Sequence, residues 1–159
     1  MKKLFVLIFI IILTPGLFAQ QSSTAAIKQT INTMMDAMRK GDSVLLKSVL
    51  AKNMELQSVA LDTTGRVSLS TVRGNDLVTL IATPHADVYD ERIVFGGIKM
   101  DGPLASVWTP YRFYVGTTFS HCGVNFFQLA RTKDGWKIIH IAYTIRKDNC
   151  IPYLLSRTP

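Results

Sequence analysis

The sequence has little of what ready-made sites are built from. Of its 159 residues only 2 are cysteine, Cys122 and Cys150, too few for a disulfide scaffold or a four-ligand zinc site. The 3 histidines, His85, His121 and His140, share no ligand spacing and no acid accompanies two of them on one element, so no metal site is read from them. Acidic residues number 11 against 18 basic ones, and they form no paired-carboxylate signature. After Lys2-Lys3 no stretch carries more than two adjacent basic residues, so a formal charge of +7 gives no nucleic-acid footprint. Internal repeats and low-complexity tracts are missing, and nothing calls for a cofactor.

What is present is a chain with 48% hydrophobic residues, long enough for one domain with a buried core and too apolar for a disordered chain. Met1-Lys2-Lys3 is a short cationic start. Leu4 to Leu13 is uninterrupted apolar sequence, closed by Thr14-Pro15-Gly16 with a cut site after Ala19. That is the layout of a secretory signal peptide, and the run falls short of the roughly 20 residues that span a bilayer. Residues 1–19 therefore read as an address and 20–159 as the domain. The product is periplasmic or secreted and meets a membrane only through the signal segment before cleavage. Leu17, three residues before the cut, is not the usual small residue, which leaves a shifted cut or an uncleaved anchor open. Removal of the segment takes two lysines with it and leaves a charge of +5.

Gln20 to Thr24 reads as a polar linker. Ile27, Ile31, Met34, Met35 and Met38 then recur at helical spacing, which predicts a helix capped at Ser23 or Thr24 and stopped at Gly41. At this spacing the methionines read as core packing rather than a cofactor surface. Asp42 caps a second helix to Leu50, strands follow at 54–61 and 67–69, and a third short helix runs from Gly74 or Asn75 to Ile81. Beyond Asp87 the period changes to that of strands, at about 87–99, 103–115, 119–131 and 136–146. Asp101-Gly102, Gly116 and Asp134-Gly135 make the turns. Gly96-Gly97 suggests a bulge, and Pro110 an edge or a bulge.

Helices followed by a long antiparallel meander predict an α+β domain in which the helices cover one face of the sheet. Bulged long strands curl, so the covered face becomes concave, and partial cover leaves a pocket. If 103–115 pairs with 119–131, then Tyr111, Phe113, His121, Gly123, Asn125 and Phe127 share one face, and Trp108, Arg112, Cys122 and Phe126 take the other. A one-residue slip, or a bulge at Pro110, would exchange part of these sets.

The order of these segments resembles the nuclear-transport-factor-2-like superfamily, which includes ketosteroid isomerase and polyketide-cyclase-like proteins. The resemblance rests on the Ala26-to-Gly41 helix ending Lys40-Gly41-Asp42, on Met54-Glu55-Leu56, and on the segments Ala105 to Phe113 and His121 to Leu129. The closing strand that begins Asp134-Gly135-Trp136-Lys137-Ile138 completes it. It implies a cone: a strongly bent antiparallel sheet wrapped around N-terminal helices, with a ligand pocket at the open end. It implies no single activity, because members include isomerases, cyclases, dehydratases, hydrolases and pure binders.

The ligand-binding candidates are Trp108, Tyr111, Phe113, His121, Asn125 and Phe127, which pair aromatic bulk with few polar tips and suit a small apolar molecule. His121 is the candidate general base or acid, or else hydrogen-bonds within a half-polar sheet. Tyr111 is the candidate oxyanion donor. The late strands lack the pocket carboxylate of ketosteroid isomerase, since Asp87, Asp90 and Glu91 sit at one strand's start. His140, amid isoleucines, reads as core and His85 as loop. Cys150 lies a few residues beyond the strand that runs back beside Cys122, so a Cys122–Cys150 disulfide is expected if geometry permits. Trp108 and Phe126 on the outer face are the candidate homodimer contact.

Overall fold

The structure is a computed structural model that describes the backbone of residues 15–150 and the side chains of residues 23–150. Most of the predicted signal segment, residues 1–14, lies outside the described residues.

The first helix, α1 (Pro15–Lys40), starts earlier than its predicted caps. Gln20 to Thr24 carries on the helix instead of linking to it, because nothing between Pro15-Gly16 and Gly41 breaks it. Ile27, Ile31, Met34, Met35 and Met38 form its buried stripe. At its end Gly41 takes φ +66°, and the Asp42 amide donates to the Ala37 carbonyl at 2.9 Å. Asp42 then caps α2 (Ser43–Val49), its carboxylate accepting from the Leu45 amide at 2.8 Å.

The chain continues through β1 (Leu50–Leu61), β2 (Val67–Arg73), α3 (Gly74–Ala82), β3 (Tyr89–Ile93), β4 (Ile98–Asp101), β5 (Leu104–Val115), β6 (Thr118–Thr132) and β7 (Gly135–Thr144). The seven strands make one curved, unclosed sheet in the order β2-β1-β7-β6-β5-β3, with β4 also on β5. The sheet is antiparallel except where β1 lies parallel to β7, a pairing that the reading of a plain meander missed. The stretch read as one strand at 87–99 is two, both paired to β5. The break falls opposite Pro110. Its carbonyl accepts from Val94, so the N–H it lacks faces the same gap, and Gly96 and Gly97 bond Trp108 instead.

α1 and α3 lie on the concave face. Their apolar side chains join Val107, Phe127, Leu129, Ile138 and Ile141 in one core. Ile139 is an extra residue at the β6/β7 register shift, so Ile138 and Ile141 both turn inward while His140 pairs with Glu55 and Gln128 on the convex side. His140 is therefore half-buried rather than core. Beyond β7 the chain keeps company with β6: Cys122 and Arg146 exchange backbone bonds of 2.8 and 2.9 Å. Cys122 and Cys150 are joined as a disulfide, with their Cα atoms 5.8 Å apart.

Candidate functional site

The helices leave part of the concave face uncovered, and the space between is a cavity of about 180 Å³. Met34, Met35 and Met38 of α1 form one wall, joined by Leu77 and Leu80 of α3. The methionines are thus core and cavity lining together. Phe127 and Ile141 close the sheet side. These walls are apolar.

Polar groups gather at one end. The β5/β6 register pairs Phe113 with His121, Tyr111 with Gly123, and Thr109 with Asn125. Of the sequence candidates, Tyr111, Phe113, His121, Asn125 and Phe127 all line the cavity. Trp108 does not. It alternates to the convex face, is 51% exposed, and tilts against Phe126 at a ring separation of 6.2 Å. Both rings are therefore remote from the concave side, and Trp108 is removed from the ligand-binding set.

The residue that sequence reasoning discounted is Glu91. The β3/β5 register sets it beside Phe113, in the same row as His121, so its side chain lies on the concave face. Asn125 Nδ2 donates to Glu91 Oε1 at 2.6 Å. Loss of water around the carboxyl outweighs that bond and pushes its pKa up to about 7. The concave side therefore holds a carboxylate after all. Among the described residues no lysine or arginine lines the cavity. Arg39 and Arg92 are nearby on α1 and β3, but they pair with Asp90 at 2.9 and 2.8 Å, and Arg39 also with Asp36.

Tyr143, also missed, completes the polar end. It faces Asn125 across the ladder, and desolvation followed by the Glu91 charge raises its pKa. Tyr111 is 1% exposed, and its hydroxyl donates to the Thr144 carbonyl at 2.8 Å. A phenol has one proton to give, so Tyr111 is a lining group in this arrangement and not a free oxyanion donor. Burial raises its pKa as well. His121 sits between Phe113 (5.0 Å) and Tyr111 (5.6 Å), with Nδ1 3.0 Å from Ser120 Oγ, and desolvation lowers its pKa. The imidazole is neutral at pH 7.

The Glu91 shift has a stability consequence with a definite sign. A carboxyl whose folded pKa lies above its unfolded value binds more protons folded than unfolded between the two values. Its contribution therefore weakens as pH rises from about 4.5 to about 7. His121, shifted down by desolvation, contributes a slope of the opposite sign. Glu91→Gln isolates the first effect: at pH 8 the variant is expected to be more stable than the parent, by on the order of 3 kcal/mol. At pH 4.5 the two should nearly coincide. Paired thermal melts at the two pH values check this, and a difference that does not change with pH would contradict it.

No protein-family model matches the chain, and no curated protein matches it in sequence. Solved structures do resemble it in shape. A nuclear-transport-factor-2-like protein with a cystatin-like fold from Novosphingobium aromaticivorans superposes with a TM-score of 0.64 at 14% identity, covering 88% of this chain and 93% of that one. A nuclear-transport-factor-2-like protein of unknown function from Shewanella baltica gives 0.60 at 15% identity over 82% and 98%. A Streptomyces avermitilis protein from that family, provisionally called a dehydratase, gives 0.57 at 14% over 81% and 99%. At these identities the likeness speaks for architecture alone, and the chain has the nuclear-transport-factor-2-like, cystatin-like fold.

Proposed function

We propose that this is an exported pocket protein that binds a small, mainly apolar molecule. The observation that carries the reading is the cavity of about 180 Å³, with apolar walls and its polar groups confined to one end. Small-molecule sites have that make-up: hydrophobic lining for affinity and a few placed polar groups for orientation. The size suits a compound of one ring, since an apolar cavity of about 150 Å³ holds benzene. Export is supported by the charged, apolar and small-residue order of residues 1–19, and by a disulfide that suits an oxidising compartment.

A thermal-shift panel of one-ring compounds tests the reading. Ligand at 100 times its Kd adds about 2.7 kcal/mol to stability, several degrees for a domain of this size. Several of the panel should reach that shift. A panel without any stabilising member would remove the proposal.

One observation favours a second reading, a lyase or isomerase that moves a proton. The Glu91 carboxyl, with a pKa of about 7, is poised both to take and to give a proton at neutral pH. In this reading Glu91 is the proton carrier, and His121 along the same row is the neutral partner at the substrate. The same variant separates the two readings. Glu91→Gln should abolish turnover of an identified substrate and leave its binding within a few fold, whereas unchanged turnover would leave the binder alone.

A further inference from the structure

The polar end of the cavity has an imbalance that points to its ligand. Its strongest group is an acceptor, the Glu91 carboxylate, with one oxygen bonded by Asn125 and no cation among the described lining residues. Asn125 turns an N–H toward Glu91, and Tyr111 has spent its only proton on Thr144; the donors left at this end, the Tyr143 hydroxyl and one His121 ring N–H, are neutral, and neither bonds Glu91. Arg39 and Arg92 line a neighbouring groove with Glu91, but their ion pairs are with Asp90 and Asp36. A desolvated carboxylate without a counter-charge is costly, and a guest that brings a donor or a positive charge relieves that cost. The rings of Phe113 and Tyr111 beside it favour a cation further.

We infer that the cavity takes a small apolar amine, whose ammonium group pairs with the Glu91 carboxylate while its hydrocarbon body lies against Met34, Met35 and Met38. The inference rests on the pocket-binder reading and specifies its ligand class. The chain's net positive charge opposes a cation only weakly, because exposed charges beyond about 10 Å are screened at 0.1 M salt. The direct pair inside the cavity is screened far less. A neutral alcohol of the same shape gains one hydrogen bond to the carboxylate and no ion pair. An anion meets Glu91 as a like charge.

Calorimetric titration of the full chain at pH 7.5 with benzylamine, benzyl alcohol and benzoate tests this, since the three share one ring and differ in head group. Benzylamine is expected to bind about tenfold tighter than benzyl alcohol, because the ammonium adds a charge–charge attraction to the hydrogen bond in a site of low dielectric. Benzoate is expected to be the weakest. Glu91→Gln should erase the preference for the amine and leave benzyl alcohol within about threefold, and Glu91→Asp, which keeps the charge, should restore part of it. Circular dichroism confirms that each variant is folded. Benzyl alcohol bound as tightly as benzylamine, or an amine preference that survives Glu91→Gln, would overturn the inference and leave the binder reading standing. No binding by any of the three to the parent protein would overturn both.

Discussion

Replacement of Gly123 by alanine is expected to cost about 3–4 kcal/mol of stability, near the upper end for a single added methyl. A Cβ at this position would sit 1.9 Å from the Thr144 carbonyl oxygen and 2.8 Å from Tyr111 Cε1. The first is backbone at the end of β7, so no side-chain rotation relieves it. The second is the ring that crosses Gly123 to reach that same carbonyl. The extra carbon therefore forces the chain beyond β7 away from β6 and expels Tyr111 from its place in the cavity wall. Urea denaturation of the variant measures the loss. A cost below about 1 kcal/mol would mean that Tyr111 and Thr144 are not held as described. Backbone torsion is not the reason for glycine here, since Gly123 is absent from the positive-φ glycines; close approach is.

The second large effect belongs to the disulfide. Cys122 and Cys150 close a loop with a sequence separation of 28, for which restriction of the unfolded chain predicts about 3–4 kcal/mol. The bond fastens residues 144–150 along β6, next to the Thr144 carbonyl that anchors Tyr111 and one residue from His121. A Cys122→Ser, Cys150→Ser double variant should melt roughly 10 °C lower, and reduction of the parent protein should give the same shift. Unchanged melting in reductant, with both thiols shown free by titration, would contradict it. The loss is expected to extend to ligand affinity, because the segment that comes loose borders the polar end of the cavity.

The parts of the site legible in the sequence follow from the strand period of two. Alternation alone assigns Tyr111, Phe113, His121, Asn125 and Phe127 to one face, and the observed β5/β6 register agrees with that set. Helical spacing likewise assigns Ile27, Ile31, Met34, Met35 and Met38 to the buried stripe of α1. What was not legible depends on pairing between distant segments. Glu91 looks peripheral in sequence because it stands near the start of a strand. It becomes a cavity residue only when β3 and β4 separate at Gly96-Gly97 opposite Pro110 and β3 registers Glu91 on Phe113. His140 was misread for a related reason, a single extra residue that reverses the face. Trp108 had two assignments in the sequence, as pocket aromatic and as outer-face residue, and alternation supported only the second.

Selective ¹³C labelling of the methionine methyl groups asks whether a guest enters between α1 and the sheet. Addition of benzyl alcohol should move the Met34, Met35 and Met38 signals and give contacts from the ring protons to those three methyls, while Met100, away from the cavity, stays still. Signals from all three that do not respond at saturating probe, or contacts that lead instead to the Trp108–Phe126 pair, would show that the hollow under the helices accepts no molecule.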